Sequence, residues 1–220
     1  MTDAAREIES RIRTVPDFPR PGISFKDITP LIEDGHALHT AVDALAEAAE
    51  GISYDRILSA EARGFVFGTA LAYRAKKGLI LARKPNKLPR DIISATYDLE
   101  YGTDALEAHV DAIPEGASVL VADDLLATGG TARAMCQLVE NAGGTVAGVA
   151  FLIELAYLNG RDKLKPYEVV SLITYDDPQD SPPGATRPRN PSPNTRPPGY
   201  TTPRRRLPAY PHQPPDNKNL

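Results

Sequence analysis

The sequence is poor in cysteine and has no long apolar run. Its single cysteine, Cys136, cannot form an intramolecular disulfide bond, and its place in an alanine-rich helical segment predicts a small buried side chain. No stretch approaches the roughly 20 apolar residues of a membrane-spanning helix, and the first residues lack the apolar segment of a signal peptide. We therefore expect a cytoplasmic protein that does not bind a membrane.

Residues 1–175 also lack an excess of basic charge. Residues 176–220 hold seven Lys or Arg and four Asp, a net charge of 7 − 4 = +3. The whole chain carries −4, so residues 1–175 carry −4 − 3 = −7. An acidic globular part argues against a general nucleic-acid binder, and we expect no nucleic-acid partner.

Proline is scarce before residue 176 and abundant after it. Of the 21 prolines, 13 lie in residues 176–220, which leaves 21 − 13 = 8 for residues 1–175. Because this tail is also nearly free of apolar residues, we predict one domain over 1–175 and a disordered Pro- and Arg-rich tail over 176–220. Three roles fit the tail: a polyproline-type partner segment, a basic localisation signal at 204–206, and an appendage or gene-model accident, which we favour.

The stretch 119–131 is the most informative in the chain. Residues 119–122 are a short apolar run typical of a strand that is buried on both faces, and Asp123 and Asp124 follow where that strand should meet solvent. A Gly- and Thr-rich turn then opens a helix, and the unpaired N–H groups of a first helical turn can bind phosphate. The acids would repel that phosphate, so they make sense as partners of vicinal sugar hydroxyls and of a nearby divalent cation. The turn consists of Ala127, Thr128, Gly129, Gly130 and Thr131.

Alternating strand-like and helix-like segments predict an α/β fold with a single open, mostly parallel sheet and flanking helices. Strand, helix and strand across 118–155 indicate a βαβ unit, and ligands of such sheets collect at the carboxyl ends of the strands. A first helix is predicted with Ile8, Ile12 and Val15 on one face, and 23–30 is placed outside the sheet. The remaining predictions are strands at 54–60, 79–82 and 145–155, helices starting near Leu38 and Phe65, and strand ends at Arg63, Arg83, Asp123 and Leu155.

Seven segments follow one another in a family pattern: VPDFP at 15–19, FKDITP at 25–30, EARGF at 61–65, RKPNKLP at 83–89, LEYG at 99–102, the acid pair with ATGGT at 123–131, and FLIEL at 151–155. Over roughly residues 8–175 the chain thereby resembles the adenine phosphoribosyltransferases, which are type I phosphoribosyltransferases. The resemblance implies transfer of a 5-phosphoribosyl group from 5-phosphoribosyl 1-pyrophosphate (PRPP) to adenine, giving AMP and pyrophosphate. It also implies Mg²⁺ carried in on PRPP, a homodimer, a small N-terminal hood at about 15–34 and a lid loop at about 84–109.

The resemblance implies a role for the matching residues of each segment. Glu100, on the lid, would be the catalytic residue close to the purine ring. Mg²⁺ would have no direct protein ligand and would lie near Asp123 and Asp124, and the Glu61–Ala62 peptide would correspond to the family's non-proline cis bond. The implied binding residues are Asp123, Asp124, Ala127, Thr128, Gly129, Gly130 and Thr131 for PRPP, Arg63, Arg83, Lys84 and Lys87 for pyrophosphate, and Ser24, Phe25, Lys26 and Leu155 for adenine.

Two departures from the family pattern and several alternatives stay open. Lys26 stands where many relatives have Arg, and Glu61-Ala62 stands where others have Asp-Ser. From the residues alone, the Gly- and Thr-rich turn could be an ordinary strand-to-helix turn, Arg63 an ordinary ion-pairing arginine and Glu100 a solvent-facing acid. The alternative functions are a PRPP-sensing regulator, disfavoured by the acidic charge of 1–175, and a phosphoribosyltransferase for 6-oxopurines, disfavoured by FKDI at 25–28.

Overall fold

The computed structural model describes residues 2–98 and 103–179, and of Asp98 it describes only the backbone. Within these residues the fold consists of five α-helices and nine strands. The helices are α1 (Asp3–Ser10), α2 (Thr29–Glu33), α3 (Gly35–Ala48), α4 (Gly64–Ala75) and α5 (Gly130–Asn141). The strands are β1 (Arg13–Pro16), β2 (Ser24–Asp27), β3 (Arg56–Ala60), β4 (Gly78–Ala82), β5 (Ile92–Asp98), β6 (Thr103–His109), β7 (Ser118–Leu126), β8 (Thr145–Leu155) and β9 (Val169–Tyr175).

Five of these strands form a parallel sheet in the order β4-β3-β7-β8-β9, which confirms the predicted fold class. The antiparallel pair β1–β2 and the antiparallel hairpin β5–β6 lie outside this sheet. From β3 the chain passes through α4 to β4 on one side, and from β7 it passes through α5 to β8 on the other. The strand order therefore reverses between β3 and β7, and ligands of open α/β sheets bind at the carboxyl edge beside such a reversal.

The sheet separates two hydrophobic layers. Along β7, Leu120 faces one layer and Val121 faces the other, as the two-residue period of a strand requires. The first layer packs the sheet against α1, α3 and α4, and Phe67 of α4 is completely buried there. The second layer packs it against α5 and the β5–β6 hairpin, with Met135 completely buried. Because both faces are covered, the strands read as nearly continuous apolar runs in the sequence.

Capping side chains begin two helices on the first layer. The hydroxyl of Thr2 accepts a hydrogen bond from the Ala5 N–H at 3.2 Å and so caps α1. The Asp34 carboxylate accepts bonds from the N–H groups of His36 at 3.0 Å and Ala37 at 3.2 Å and caps α3. These bonds lower the pKa of Asp34, with that from Ala37 the largest contribution.

Three predicted elements differ from the structure. The first helix ends at Ser10, so Val15 lies on β1, where it pairs with Phe25 of β2. The segment 23–30 does lie outside the main sheet, but its residues Ser24–Asp27 form a strand of the small sheet. The strand Thr145–Leu155 is not the last one, because β9 follows it and pairs with it in parallel. In each case the difference comes from a long-range pairing that local periodicity does not encode.

None of the helices in 2–98 and 103–179 combines the length and the apolar composition that crossing a membrane requires. The predicted tail lies outside the described residues beyond residue 179, and the catalytic residue expected from the resemblance, Glu100, lies outside them within the gap 99–102.

Candidate active site

A cavity of about 390 Å³ opens at the carboxyl edge of the sheet where the strand order reverses. The residues that follow β3 form one wall, and the end of β7 with the turn into α5 forms the other. The sequence-based expectation that Arg63 and the acid pair meet at one sheet edge is thus fulfilled in the geometry. The lining residues are Glu61, Ala62, Arg63 and residues 123–132.

The turn at 127–131, which we call the phosphate cradle, joins β7 to α5 as expected. Gly129 has a φ of 78°, a left-handed conformation that glycine adopts without a steric penalty, and α5 starts at Gly130. Ala127, Thr128 and Thr131 line the cavity together with these glycines. The first N–H groups of a helix have no acceptor within the helix, so those at the start of α5 are available to an anion in this cavity.

The two adjacent acids are buried beside the cradle. Because β7 runs to Leu126, Asp123 and Asp124 lie within the strand rather than beyond its end. They expose only 8% and 7% of their surfaces. The Asp123 carboxylate accepts the N–H of Asp124 at 2.9 Å. It also packs against Gly64 at the start of α4, where an added Cβ would be 2.3 Å from Asp123 Oδ1. Burial, and then the neighbouring charge of Asp124, raise the pKa of Asp123 well above its ordinary value.

The three cations closest to the acids each contact a carboxylate. Arg63 donates from Nε to Asp124 at 2.6 Å, and Arg83 donates from Nε to Glu61 at 3.1 Å. The Lys84 N–H also donates to Glu61, and the Lys84 ammonium group donates to Asp104.

These contacts shift the pKa values of the acids outside the sheet. The bond from the Lys84 N–H is the main cause that lowers the pKa of Glu61, and the exposed Lys87 adds to this effect. The Lys84 ammonium group lowers the pKa of Asp104, and Asp104 in turn raises the pKa of Lys84. Of the four basic residues predicted to bind pyrophosphate, Arg63 lines the cavity, whereas Arg83, Lys84 and Lys87 lie close to Glu61 in the cavity wall.

The hood contacts Arg63 of the cavity wall through Phe25. Its ring centroid lies 5.4 Å from the guanidinium carbon of Arg63 and 5.1 Å from that of Phe18, which it meets edge to face. Ser24 and Phe25 are half-buried on β2, whereas Leu155 is buried at the carboxyl end of β8. The hood thus places an aromatic surface beside the arginine that also contacts the acid pair.

Lys26 points to a different place from its two neighbours on β2. It is 5% exposed, and its ammonium group lies 4.0 Å from the ring centroid of Tyr175 and donates to the Thr14 hydroxyl at 3.1 Å. These contacts join the hood to the end of β9. The structure therefore gives Lys26 a role in fixing the hood on the sheet, in addition to any contact with adenine.

The hairpin β5–β6 belongs to the segment predicted as the lid, and it packs against α5. The Tyr97 hydroxyl donates to Asp104 at 3.2 Å and lies near the side chain of Thr131 in the cradle. Glu107 and Arg83 exchange backbone hydrogen bonds of 2.8 and 2.7 Å, which attach β6 to the chain that leaves β4. Sequence reasoning identified Tyr97 only as a β-forming residue, because its contacts depend on the register of the hairpin.

The Glu61–Ala62 peptide bond is cis, as the resemblance implied. In 2–98 and 103–179, no group of three or more His, Cys, Asp or Glu side chains forms a site for a metal ion. The donors that the site does offer, two neighbouring carboxylates beside a phosphate cradle, suit Mg²⁺, which binds through one or two carboxylates together with substrate phosphates and water.

Comparison with known proteins agrees with this geometry. Residues 31–180 match the family model of the phosphoribosyl transferase domain. The chain is 71% identical over 172 residues to the adenine phosphoribosyltransferase of Rubrobacter xylanophilus, a match that covers 78% of this chain and 93% of that protein. It is 56% identical over 169 residues to that of Clostridium perfringens, covering 77% of this chain and 98% of the relative.

Two crystal structures extend the comparison. The adenine phosphoribosyltransferase of Thermoanaerobacter pseudethanolicus superposes with a TM-score of 0.76 at 51% identity, over 78% of this chain and 99% of that one. The Saccharomyces cerevisiae enzyme, complexed with adenine and an imino-altritol bisphosphate, superposes with a TM-score of 0.74 at 37% identity, over 78% and 99% of the two chains. The fold and the cavity define a phosphoribosyltransferase. More narrowly, the chain belongs to the adenine phosphoribosyltransferase family.

Proposed function

We propose that this protein transfers the 5-phosphoribosyl group of PRPP to adenine, forming AMP and releasing pyrophosphate. One arrangement carries the proposal: a helix-start cradle and a buried acid pair share a cavity with Arg63, and the aromatic hood residue Phe25 lies against that arginine. Such a site offers donors to a phosphate, acceptors to sugar hydroxyls and a flat surface to a base. The reaction thereby salvages the free base adenine as the nucleotide AMP.

Each part of the cavity suits one part of PRPP. The backbone of the cradle and the hydroxyls of Thr128 and Thr131 would bind the 5′-phosphate. Asp123 and Asp124 would accept hydrogen bonds from the vicinal ribose hydroxyls, since a carboxylate is a double acceptor without a proton to donate. The cationic edge formed by Arg63, Arg83, Lys84 and Lys87 would face the pyrophosphate, where arginine can bind two oxygens at once.

A bound Mg²⁺ ion would neutralise part of the pyrophosphate charge and so make it a better leaving group. The residues of this chain suited to lie near the ion are Asp123 and Asp124. Their burial matters here, because a cation close by favours the ionised form of Asp123 and offsets the high pKa that burial gives it.

The chemical step moves the anomeric carbon from oxygen to nitrogen. The N9 atom of adenine attacks C1′ while the bond from C1′ to pyrophosphate breaks, and adenine gives up its imidazole N–H proton. The sugar has cationic character in the transition state. The cationic edge stabilises the departing pyrophosphate, and Phe25 with the Ser24 backbone and Leu155 would hold the base. We assign to Glu100 the stabilisation of the purine side of this step, because the resemblance places it on the lid over the ring.

The same proposal includes a cytoplasmic homodimer. The family resemblance is the basis for the dimer, which is tested below by its mass.

A coupled assay tests the function directly. Purified protein is mixed with PRPP and Mg²⁺ and with adenine, hypoxanthine or guanine in turn, and pyrophosphate release and nucleotide formation are followed. We expect AMP formation with adenine and little turnover of the two 6-oxopurines. Turnover of hypoxanthine or guanine in place of adenine would identify a 6-oxopurine enzyme, and PRPP binding without turnover of any base would identify a PRPP-sensing regulator.

A further inference from the structure

The segment that follows β8 packs directly behind the phosphate cradle. Gly160 begins a 3-10 turn, Gly160–Leu164, and is buried there. A Cβ added to Gly160 would be 2.2 Å from the carbonyl oxygen of Ala127 and 2.9 Å from Leu126 Cδ1. In the opposite direction, a Cβ on Gly129 would be 2.5 Å from the Gly160 carbonyl oxygen. Two backbone segments therefore touch without an intervening side chain.

An ion pair fixes this segment to the sheet. Asn159 turns the chain with a φ of 54°, and the next residue after Gly160, Arg161, reaches back to Glu154 on β8. Arg161 Nε and Nη2 each lie 2.6 Å from a different oxygen of Glu154, a two-point contact. Arg161 also donates to the Val169 carbonyl at 2.9 Å, and the Ser171 hydroxyl donates to Glu154 at 2.6 Å.

The surroundings of the Glu154 carboxylate favour its ionised form, which suits the contact with Arg161. Its side chain is 6% exposed. Burial alone would raise its pKa, but hydrogen bonds from Arg161 and Ser171 outweigh burial and lower the pKa of Glu154 overall. At the other end of the 3-10 turn, Leu164 is completely buried in the second hydrophobic layer. The segment is thus anchored on both sides of its contact with the cradle.

We propose that Gly160 is a positioning residue that sets the location of the phosphate cradle, and that the Arg161–Glu154 pair holds Gly160 in place. The inference rests on the proposed function, because it assigns the cradle to the 5′-phosphate of PRPP. The cradle binds through backbone N–H groups, so its position depends on backbone contacts rather than on side-chain rotamers. Gly160 supplies such a contact at Ala127 and Gly129, on the side away from the cavity.

Substitution of Gly160 separates this role from general stability. Gly160→Ala places a methyl group against backbone atoms, so the cradle has to move by about 1 Å, a displacement that can cost about 100-fold in rate. We expect KM for PRPP to rise by about tenfold or more, with KM for adenine changed by less than about twofold. The matched control is Gly51→Ala, because an added Cβ there meets nothing within 4 Å; it should leave both KM values unchanged.

The ion pair is tested by Arg161→Lys and by Glu154→Gln. A lysine cannot make the two-point contact, so PRPP binding should weaken in the same direction as in Gly160→Ala, by a smaller factor. Circular dichroism melts accompany each variant. A loss of melting temperature without a selective rise in KM for PRPP would mean that the segment only stabilises the fold, and that result would overturn the proposal.

Titration calorimetry with ribose 5-phosphate gives a second measurement that needs no turnover. The dissociation constant of ribose 5-phosphate should rise in Gly160→Ala and stay unchanged in Gly51→Ala. If the wild-type protein bound ribose 5-phosphate but did not convert adenine, the proposed function would be wrong while the positioning role remained supported by this difference. Equal dissociation constants for wild type and Gly160→Ala would refute the positioning role alone.

Discussion

At the scale of single residues, the candidate site brings charges of both signs into one cavity. Arg63, Arg83 and Lys84 contact carboxylates, and two of those carboxylates, Asp124 and Glu61, lie in the cavity wall. A substrate with phosphates, hydroxyls and an accompanying cation can bind both sets of groups, whereas a simple anion would meet the acids as well as the cations. The mixture therefore favours a metal-bound phosphosugar over free phosphate.

Asp123 is expected to reduce stability while it supports binding. Its raised pKa means that the folded state disfavours the ionised carboxylate, so Asp123→Asn should raise the melting temperature of the substrate-free protein at neutral pH, by about 2–4 °C for each kcal/mol of relieved burial. The Asn amide oxygen can still accept the Asp124 N–H. The same variant should lower kcat/KM for PRPP by about 10- to 100-fold, since it loses a charged acceptor.

The pH dependence of this effect follows from the direction of the shift. An acid whose pKa is raised on folding destabilises the fold where the unfolded group is ionised, and this penalty disappears as the pH falls through the ordinary Asp pKa of about 3.9. The melting difference between Asp123→Asn and wild type should therefore shrink in acid. Asp43→Asn, on the exposed pair with Arg74, is the control and should not raise the melting temperature. A less stable Asp123→Asn protein at neutral pH would contradict the argument.

Asp104 is expected to compete with substrate for Lys84. The Asp104 carboxylate binds the Lys84 ammonium group, so Asp104→Asn removes a negative charge and releases a positive one at the cationic edge. We expect KM for PRPP to fall by roughly two- to fivefold at low ionic strength, the range typical of partly exposed pairs, and the gain to decrease with added salt. The control is Asp111→Asn, which breaks the exposed pair with Arg90 instead. A higher KM would show that Asp104 orients Lys84 for the pyrophosphate.

At the scale of elements, the side chain of Tyr97 reaches from the β5–β6 hairpin to the cradle. Its hydroxyl donates to Asp104 across the hairpin at 3.2 Å and lies near Thr131 in the first turn of α5. Glu100, which the resemblance places on the lid, falls between β5 and β6 in the sequence, outside the described residues. Any motion that opens the hairpin must therefore break the Tyr97 contact or carry it along.

Tyr97→Phe should make the hairpin open more often. Loss of a hydrogen bond worth about 1 kcal/mol corresponds to a roughly fivefold larger opening equilibrium. Amide hydrogen exchange in β5 and β6 should accelerate accordingly, while exchange in β7 and β8 stays unchanged. Tyr73→Phe, at a site on α4 that is 88% exposed, serves as the control. Unchanged exchange in β5 and β6 would mean that the other contacts of the hairpin, among them the backbone bonds between Arg83 and Glu107, hold it without Tyr97.

The sequence predicts most of the sheet and its functional edge, because buried parallel strands are apolar runs and their ends meet at one side. This is why Arg63, Arg83, Asp123 and the cradle could be placed together from the sequence. β9 was not predicted, since it lies at the edge of the sheet, is only partly buried and has Ser171 within its apolar run. The direction of Lys26 and the contact of Gly160 with the cradle depend on Tyr175 and Ala127, which are distant in sequence. Local sequence patterns do not predict such contacts.

At the scale of the whole molecule, the family resemblance implies a homodimer. The first helix adds no argument for it, because Ile8 and Ile12 are already buried against the first hydrophobic layer within one chain. Tyr73 on α4 remains exposed. We expect a mass of 2 × 23.8 = 47.6 kDa by light scattering coupled to gel filtration. A mass of 23.8 kDa at assay concentration would refute the dimer.

Removal of the proline-rich tail should leave fold and turnover intact, because this segment offers few apolar residues and every residue assigned to the site precedes it. The cut belongs after Gln179 rather than after Tyr175. Tyr175 is buried at the end of β9 and pairs with Leu155, and the Gln179 N–H donates to Asp177 at 2.7 Å. We expect the protein truncated after Gln179 to match the full chain in melting temperature and in kcat/KM for adenine.

Salt separates the two ways in which this expectation can fail. The removed residues, 180–220, hold seven Lys or Arg and two Asp, a net charge of 7 − 2 = +5, and their arginines attract anionic PRPP at long range. If only this attraction is lost, the truncated protein has a lower kcat/KM for PRPP at low ionic strength and equals the full chain at high ionic strength, where charges beyond about 10 Å are screened. A loss that persists in salt, or a lower melting temperature, would show instead that the tail packs on the domain and contributes to its structure.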